Sequence, residues 1–455
     1  MSDAPLHGEF PEQAQPRLLR VLGIAFGLAV VVGGVVGSGI MRAPGVVAQG
    51  ITTAPSIMLA WVAGGVVAMI AAMPLVEAGA SVPRAGGAFP IAERAFGPTA
   101  GFLTGWITWL QYAAANAFIS VVFGEYVHRL GLATALPVGF LACALILGVA
   151  VINWVGTRVS GASQSIGSAL KGGAFVILAA VLFVSPHAPP SRVPAHVVTA
   201  AGVAGAGVGA VVMAIRVIYS TYAGWDGAIY FSEEVHRPDR NVARATFTGI
   251  GLVSVLYVLV NAAVLHVLSP SAIAGSDLAV GDAARVALGA VGDTVITAIG
   301  LFSLAAIVNL QIMAASRITF RMASDGVLPR GLAAVARGGT PRRSVAIVVV
   351  VSLLFAATGS YESLVRIYAP WSIGGILIVC LSAIRLRIAE PDLERPWKMP
   401  LYPLPAIVAV AIQAGLIALV VWDDPWAGFW SAVVVIAPLP IWLVLRRRRH
   451  DPGDR

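Results

Sequence analysis

Long, continuous apolar segments constrain this chain more than any other feature of its sequence. A helix needs roughly 20 apolar residues to cross a bilayer core, and the segments do not alternate as barrel strands would, so we expect membrane-spanning helices. Hydrophobic residues make up 58% of the 455 residues and charged residues only 11%, which excludes a soluble protein with a charged surface. The sequence therefore predicts an all-α membrane protein. Its twelve predicted spans cover residues 18–48, 54–80, 98–129, 135–155, 165–185, 200–235, 242–268, 284–320, 343–359, 362–388, 403–422 and 426–445.

The basic residues predict how these spans are oriented. Most of the 30 lysines and arginines lie at the two ends and in alternate connections. Cytoplasmic connections carry such an excess, so we expect both termini in the cytoplasm and the protein in the cell's inner membrane. The same bias accounts for the net charge of +8 without nucleic acid as a partner. Membrane lipid is the expected partner instead, and the run Arg446 to Arg449 is expected to contact anionic headgroups.

Two of the predicted spans are interrupted. The first contains residues 33–40 (GGVVGSGI) and the sixth contains residues 223–227 (AGWDG). Glycine weakens a helix interior by about 1 kcal/mol relative to alanine, but it also lets membrane helices pack closely, so either cluster alone fits packing or function. Each interruption opens a set of five spans, which predicts two inverted repeats with broken first helices. The predicted divisions are a tail at 1–16, repeats at 17–199 and 200–390, two further helices within 391–445, and a basic tail at 446–455.

Short motifs in these segments point to one family. They are G-S-G-I from Gly37 with Pro44, P-R-A-G-G-A-F from Pro83, N-W-V-G-T-R from Asn153, Y-A-G-W-D from Tyr222 followed by Glu233-Glu234, and S-R from Ser316 with D-G from Asp325 and G-T-P from Gly339. In this order, over nearly the whole chain, they resemble the amino acid–polyamine–organocation (APC) superfamily of amino acid permeases, in particular its bacterial members and the heteromeric-type exchangers. The resemblance implies a leucine-transporter-type fold with five plus five inverted helices and two extra C-terminal helices. It also implies secondary active transport of amino acids by alternating access, as an exchanger or a proton symporter.

The two interruptions are expected to form the substrate site. Backbone N–H groups exposed by the first break, at a helix N-terminus, suit the carboxylate of a free amino acid, and glycine lets the backbone approach it. Carbonyls freed by the second break suit the ammonium group, and the aromatic rings there suit the substrate side chain. Tight helix packing remains the alternative for each. The expected binding residues are Val36, Gly37, Ser38, Gly39, Ile40, Ser220, Tyr222, Ala223, Gly224 and Trp225.

Two charged residues are expected to take part in coupling. Asp226 would place a carboxylate in the middle of a span, which is a functional hypothesis by default; its protonation could follow transport, or it could hydrogen-bond within the broken helix. Lys171 is expected near the inner end of the fifth span, where a lysine can also extend to the interface. The resemblance implies a different role for Lys171, in which it replaces a bound sodium ion and ties the fifth span to the first break.

Further charged residues lie near the predicted cytoplasmic ends of the spans. Ion pairs that form when this side closes would make a gate, although ordinary solvation of interfacial charges explains them equally well. The candidates are Glu77, Arg158, Glu233, Glu234, Arg237 and Arg240.

Other functions find little support in the sequence. The seven histidines are scattered, the two cysteines lie within apolar segments, and no glycine-rich phosphate loop is present, so we expect neither an enzyme nor a cofactor or metal site. The rival functions are a polyamine or organic amine permease on the same fold and a non-transporting amino acid sensor. The sequence does not indicate the preferred amino acid or the oligomeric state.

Overall fold

Nearly all of the described chain is helical. The computed structural model describes residues 18–20, 22–37, 39–187, 208–358, 361–440 and 442–443. The α-helices of these residues are α1 Ile24–Val35, α2 Gly39–Gly50, α3 Ala54–Ser81, α4 Ala88–Phe96, α5 Pro98–Arg129, α6 Val138–Val155, α7 Thr157–Val184, α8 Val208–Thr221, α9 Pro238–Val267, α10 Pro270–Ala274, α11 Ala279–Leu288, α12 Ala290–Ser324, α13 Arg342–Thr358, α14 Tyr361–Ala389, α15 Leu404–Asp423 and α16 Pro425–Ile436. Short 3₁₀ segments span Trp225–Phe231 and Arg330–Ala333.

Eight of these helices are long and apolar enough to cross a membrane, and the bent pair α1 and α2 would make a ninth. The eight are α3, α5, α6, α7, α9, α12, α14 and α15. The predicted spans 200–235, 343–359 and 426–445 correspond to the shorter helices α8, α13 and α16, and residues 200–207 lie outside the described part of the chain. The multi-pass helical membrane protein expected from the sequence is therefore confirmed.

Two predicted span boundaries were wrong. The segment 284–320 is two helices, because Gly289 adopts φ +66° and separates α11 from α12. Helix α7 begins at Thr157 rather than at residue 165, because its polar first turns bury Ser160 and Gln164 against the rest of the protein. Lys171 consequently lies in the middle of α7 and not near its inner end.

The long helices pack around an enclosed centre. Helix α5 is the most enclosed of the eight candidate spans and packs against α12, α14 and α6. Helix α9 lies against α3, α1 and α7, and α2 lies against α8. This arrangement surrounds the two interrupted segments with α3, α7, α9 and α12, so the chemistry of the breaks depends on side chains from those four helices.

Candidate functional site

The two helix breaks contact each other through their backbones. The axis bends by 47° between α1 and α2, and the chain is unwound between α8 and the 3₁₀ segment. A Cβ atom added to Gly34 would lie 2.7 Å from the carbonyl oxygen of Gly224, and one added to Gly224 would lie 2.7 Å from that of Gly34. Gly224 also has φ +105°, which side chains disfavour. Only glycine permits this contact at both positions.

Lys171 binds the first break directly. Its Nζ donates hydrogen bonds of 2.6 Å to the carbonyl oxygens of both Gly33 and Val36, and it lies 3.4 Å from the Ser303 Oγ. Ser303 itself donates to the Val36 carbonyl at 2.9 Å. The lysine is 1% exposed. A buried ammonium group thus satisfies carbonyls that the end of α1 leaves without helical partners.

Tyr257 of α9 joins the two breaks from the other side. Its hydroxyl lies 2.9 Å from the Val35 carbonyl oxygen and 3.1 Å from the Thr221 carbonyl oxygen. Because one oxygen reaches the last turn of α1 and the last residue of α8, Tyr257 fixes the spacing between the breaks. Sequence reasoning missed this residue, because Tyr257 is one of several polar side chains in its span and nothing in the sequence distinguished it from the others.

Four residues of the predicted binding set are at least partly exposed. Gly39 and Ser220 are exposed, and Ala223 and Gly224 are half-buried. The first turn of α2, beginning at Gly39, presents N–H groups that have no partner within the helix, and such N-termini attract anions. The binding of a substrate carboxylate at this turn stays a prediction.

The side chains of the other described residues in the predicted first break are enclosed by the protein. Val36, Gly37 and Ile40 are buried, and Ile40 is among the most enclosed side chains. They can offer backbone groups but not side chains to a ligand. Ser38 lies outside the described residues.

The two predicted aromatic residues are buried in helix packing. Tyr222 donates from its hydroxyl to the Trp61 carbonyl oxygen at 2.9 Å and packs against the rings of Trp61 and Tyr257. Trp225 is 2% exposed. In this conformation Tyr222 braces α8 against α3 and α9, and neither ring is open to a ligand.

Asp226 lies in a cluster of tyrosines at the start of the 3₁₀ segment. It is 8% exposed, and the hydroxyl groups of Tyr112 and Tyr230 lie beside its carboxylate. The rings of Tyr112 and Tyr230 meet edge to face, with centroids 5.3 Å apart, and Tyr368 of α14 is also close. The cluster joins α5, α14 and the broken sixth segment around one acidic group.

Glu234 forms a buried ion pair with an arginine that sequence reasoning did not connect to it. The Arg317 guanidinium donates from two nitrogens, each at 2.8 Å, to the two Glu234 carboxylate oxygens. The same guanidinium reaches the Thr157 hydroxyl at 3.2 Å and lies 5.5 Å from the Phe231 ring centroid. The pair ties α12 to the residues that follow the 3₁₀ segment and to the start of α7.

The other two predicted acidic gate residues are also paired. Glu233 lies 3.1 Å from Arg321, which also pairs with Asp325 at 2.6 Å. Glu77 accepts two hydrogen bonds of 2.6 Å from Arg387. The motif Ser316-Arg317 was visible in the sequence, but nothing in it indicated which acid the arginine meets.

The described ion pairs of the gate acids do not include the three arginines that were predicted for the gate. Arg158, Arg237 and Arg240 are exposed, and the described ion pairs of Glu77, Glu233 and Glu234 involve other arginines. Arg158, Arg237 and Arg240 are thus not the described partners of these three acids, and their part in a gate stays a prediction.

The chain is similar to known amino acid transporters over most of its length. The chain is 27% identical to the b(0,+)-type amino acid transporter 1 of Mus musculus over 93% of this chain and 87% of that protein. It is 24% identical to the serine/threonine exchanger SteT of Bacillus subtilis (strain 168), over 95% of this chain and 98% of that protein. It is 25% identical to the large neutral amino acids transporter small subunit 2 of Rattus norvegicus, over 96% of this chain and 82% of that protein.

The profile of the amino acid permease family matches residues 23–439, which include both breaks, Lys171 and every paired gate residue. The resemblance inferred from the sequence motifs is thereby confirmed, as is amino acid transport as the function. This chain belongs to the amino acid permease family and is an amino acid transporter of the membrane.

Proposed function

We propose that the protein exchanges amino acids across the cell's inner membrane by alternating access around the two breaks, without sodium. The observation that carries the proposal is the Lys171 ammonium group, 2.6 Å from the carbonyl oxygens of Gly33 and Val36. A cation bound at this point would coordinate the same carbonyl oxygens, because carbonyls freed at broken membrane helices are ligands for sodium. A fixed positive charge there removes the need for a bound ion.

The substrate carboxylate would lie at the first turn of α2. The exposed Gly39 supports this placement because it leaves room above the N-terminal N–H groups. The substrate ammonium would lie at the carbonyls from Ser220 to Ala223, opposite. Trp225 and Tyr222 would contact the substrate side chain only after the sixth segment moves, because both are buried in the described conformation.

Proton symport is the second candidate, and Asp226 favours it. A carboxylate 8% exposed between two tyrosine hydroxyls can take up a proton without losing its hydrogen-bond partners. The role of Asp226 in the exchange mechanism would instead be to hold the 3₁₀ segment against α5. The two candidates differ in whether net uptake responds to a proton gradient.

The pairs of Glu234 with Arg317, Glu233 with Arg321 and Glu77 with Arg387 would form the inner gate. They lie on the side where the sequence concentrates basic residues, which supports a cytoplasmic location. We infer that both termini face the cytoplasm on the same grounds.

The wider topology is also part of the proposal. We infer twelve spans, counting α8, α13 and α16 with the eight long helices and the bent pair. The two inverted repeats would cover 17–199 and 200–390, with two further spans within 391–445 and tails at 1–16 and 446–455. The position of the breaks, each opening a group of five spans, supports this division.

Uptake by the purified protein in proteoliposomes tests the proposed function. Serine, threonine and large neutral amino acids are the first substrates to examine, because the relatives are named for them. Exchange predicts that a labelled amino acid enters only vesicles that were loaded with unlabelled amino acid. Entry into empty vesicles that is driven by an inward proton gradient would instead establish symport. If no amino acid enters under either condition, the proposal fails.

A further inference from the structure

A groove runs along the face of α7 opposite Lys171. Its volume is about 620 Å³ and its wall includes Arg158, Ala162, Ser163, Ile166 and Leu170 of α7 with Phe302 of α12. The α7 positions recur every four residues, so they share one helix face. The buried positions Ser160, Gln164 and Ser168 share the opposite face, which packs into the protein. The groove is therefore separate from the substrate site.

The groove has the chemistry and the length of a lipid site. Ile166 and Leu170 are each 60% exposed and Phe302 is 64% exposed, as expected for side chains that contact acyl chains. At ~1.5 Å per residue, the distance along α7 from Arg158 to Leu170 is about 18 Å. One leaflet is about half of the ~30 Å hydrocarbon core. The groove thus covers the depth of a single leaflet.

The mouth of the groove is positively charged. Arg158 is exposed, and among the described residues no acidic side chain forms an ion pair with it. Trp154, in the last turn of α6 and four residues before Arg158 in sequence, is 43% exposed and has the Arg342 guanidinium 5.8 Å from its ring centroid. Tryptophan is typical of the membrane interface, so Arg158 is at the depth of lipid headgroups.

We propose that this groove binds a phospholipid with an anionic headgroup. The phosphate contacts Arg158, and one acyl chain follows the small side chains of Ala162 and Ser163 towards Leu170 and Phe302. Leu170 precedes Lys171 in the chain, so the lipid would brace the helix turn that binds the first break. The inference does not depend on whether the protein exchanges amino acids or couples their uptake to protons.

Lipid binding to the detergent-purified protein, measured by native mass spectrometry, tests the proposal. The wild type is expected to bind phosphatidylglycerol more tightly than phosphatidylcholine. Arg158→Gln is expected to weaken phosphatidylglycerol binding about fivefold, the effect of one arginine near a charged headgroup. It should weaken phosphatidylcholine binding less, because the choline cation cancels the charge of the phosphate. Ala162→Trp, which fills the groove, is expected to weaken binding of both lipids.

Arg385→Gln is the matched control, since Arg385 is an exposed arginine on α14, away from the groove. It should bind phosphatidylglycerol as the wild type does. Equal phosphatidylglycerol affinity in the wild type and Arg158→Gln would overturn the proposal, and so would full competition by soluble glycerol phosphate, which would reveal an anion site without an acyl chain. If Ala162→Trp does not fold, Arg158→Gln still decides the question, because its side chain is exposed.

Discussion

Arg317 and Glu234 form an ion pair with two parallel hydrogen bonds of 2.8 Å, and their side chains are 1% and 0% exposed. Beside it, the chain before α1 forms two backbone hydrogen bonds with the same segment, from Leu22 N–H to the Glu234 carbonyl and from His236 N–H to the Leu22 carbonyl, each 2.9 Å long. The segment that leads into α1 and the end of the sixth segment are therefore joined. The ion pair of Arg317 lies directly beside this junction.

Breaking this pair should destabilise the protein strongly. Loss of one partner of a buried ion pair leaves the other charge unpaired, at a cost of about 3–5 kcal/mol. We expect Arg317→Met to lower the thermal unfolding temperature and abolish uptake. The double variant Arg317→Met/Glu234→Leu should recover most of the stability, because an apolar pair can replace a buried ion pair.

The neighbouring pair of Arg321 with Glu233 provides the control. Its side chains are 13% and 24% exposed, so Arg321→Met should cost less stability than Arg317→Met. If Arg321→Met lowers the unfolding temperature as much as Arg317→Met does, burial does not determine the cost of breaking these pairs. Thermal unfolding in detergent measures this difference directly.

Lys171 should make transport independent of sodium. Replacing sodium with choline is expected to leave wild-type uptake unchanged. Lys171→Ala removes the Lys171 donor from the Gly33 carbonyl and leaves Ser303 as the side-chain donor to the Val36 carbonyl. Since an unsatisfied buried group costs about 1–3 kcal/mol, uptake should fall about tenfold or more. Gly172→Ala is the control, because a Cβ atom at this position meets open space. A strong sodium requirement of the wild type would exclude the proposed role of Lys171.

The breaks could be predicted from the sequence because glycine clusters and short motifs are local signals. The contact between Gly34 and Gly224 gives a physical reason for two of those glycines. The start of α7 was misjudged for an equally local reason: hydropathy counts Ser160 and Gln164 as polar ends, whereas in the fold they are buried.

The partners across the site could not be predicted in the same way. Tyr257 is 222 residues from Val35 in sequence, and Arg317 is 83 residues from Glu234. Nothing in a single chain indicates which of several arginines meets a given acid, because exposed and buried arginines look alike until the helices are packed. Arg158 was considered with the gate for this reason, although it lies on the outer face of α7.

The exposed backbone at Gly39 should be essential for uptake but not for folding. A Cβ atom there would lie 3.4 Å from the Thr221 side chain, an ordinary contact, so Gly39→Ala should fold and keep part of the activity. Gly39→Val adds bulk over the first turn of α2 and should abolish uptake at an unfolding temperature close to that of the wild type. Uptake by Gly39→Val near the wild-type rate in proteoliposomes would reject the carboxylate site.

Asp226 distinguishes exchange from proton symport. Asn is nearly the same shape as Asp, keeps hydrogen bonds to Tyr112 and Tyr230, and does not titrate. If a proton on Asp226 is transported with the substrate, uptake by the wild type should vary with external pH, and Asp226→Asn should transport with a flat profile. If Asp226 only holds the 3₁₀ segment against α5, the variant should keep the wild-type pH profile.

Tyr112→Phe serves as the comparison, because it removes one hydroxyl partner of Asp226 and keeps both the ring contact with Tyr230 and the titrating carboxylate. A flat profile in Asp226→Asn together with a pH-dependent Tyr112→Phe would assign the coupling proton to Asp226 itself. A loss of pH dependence in both variants would assign it to the cluster of Asp226 and its tyrosine neighbour.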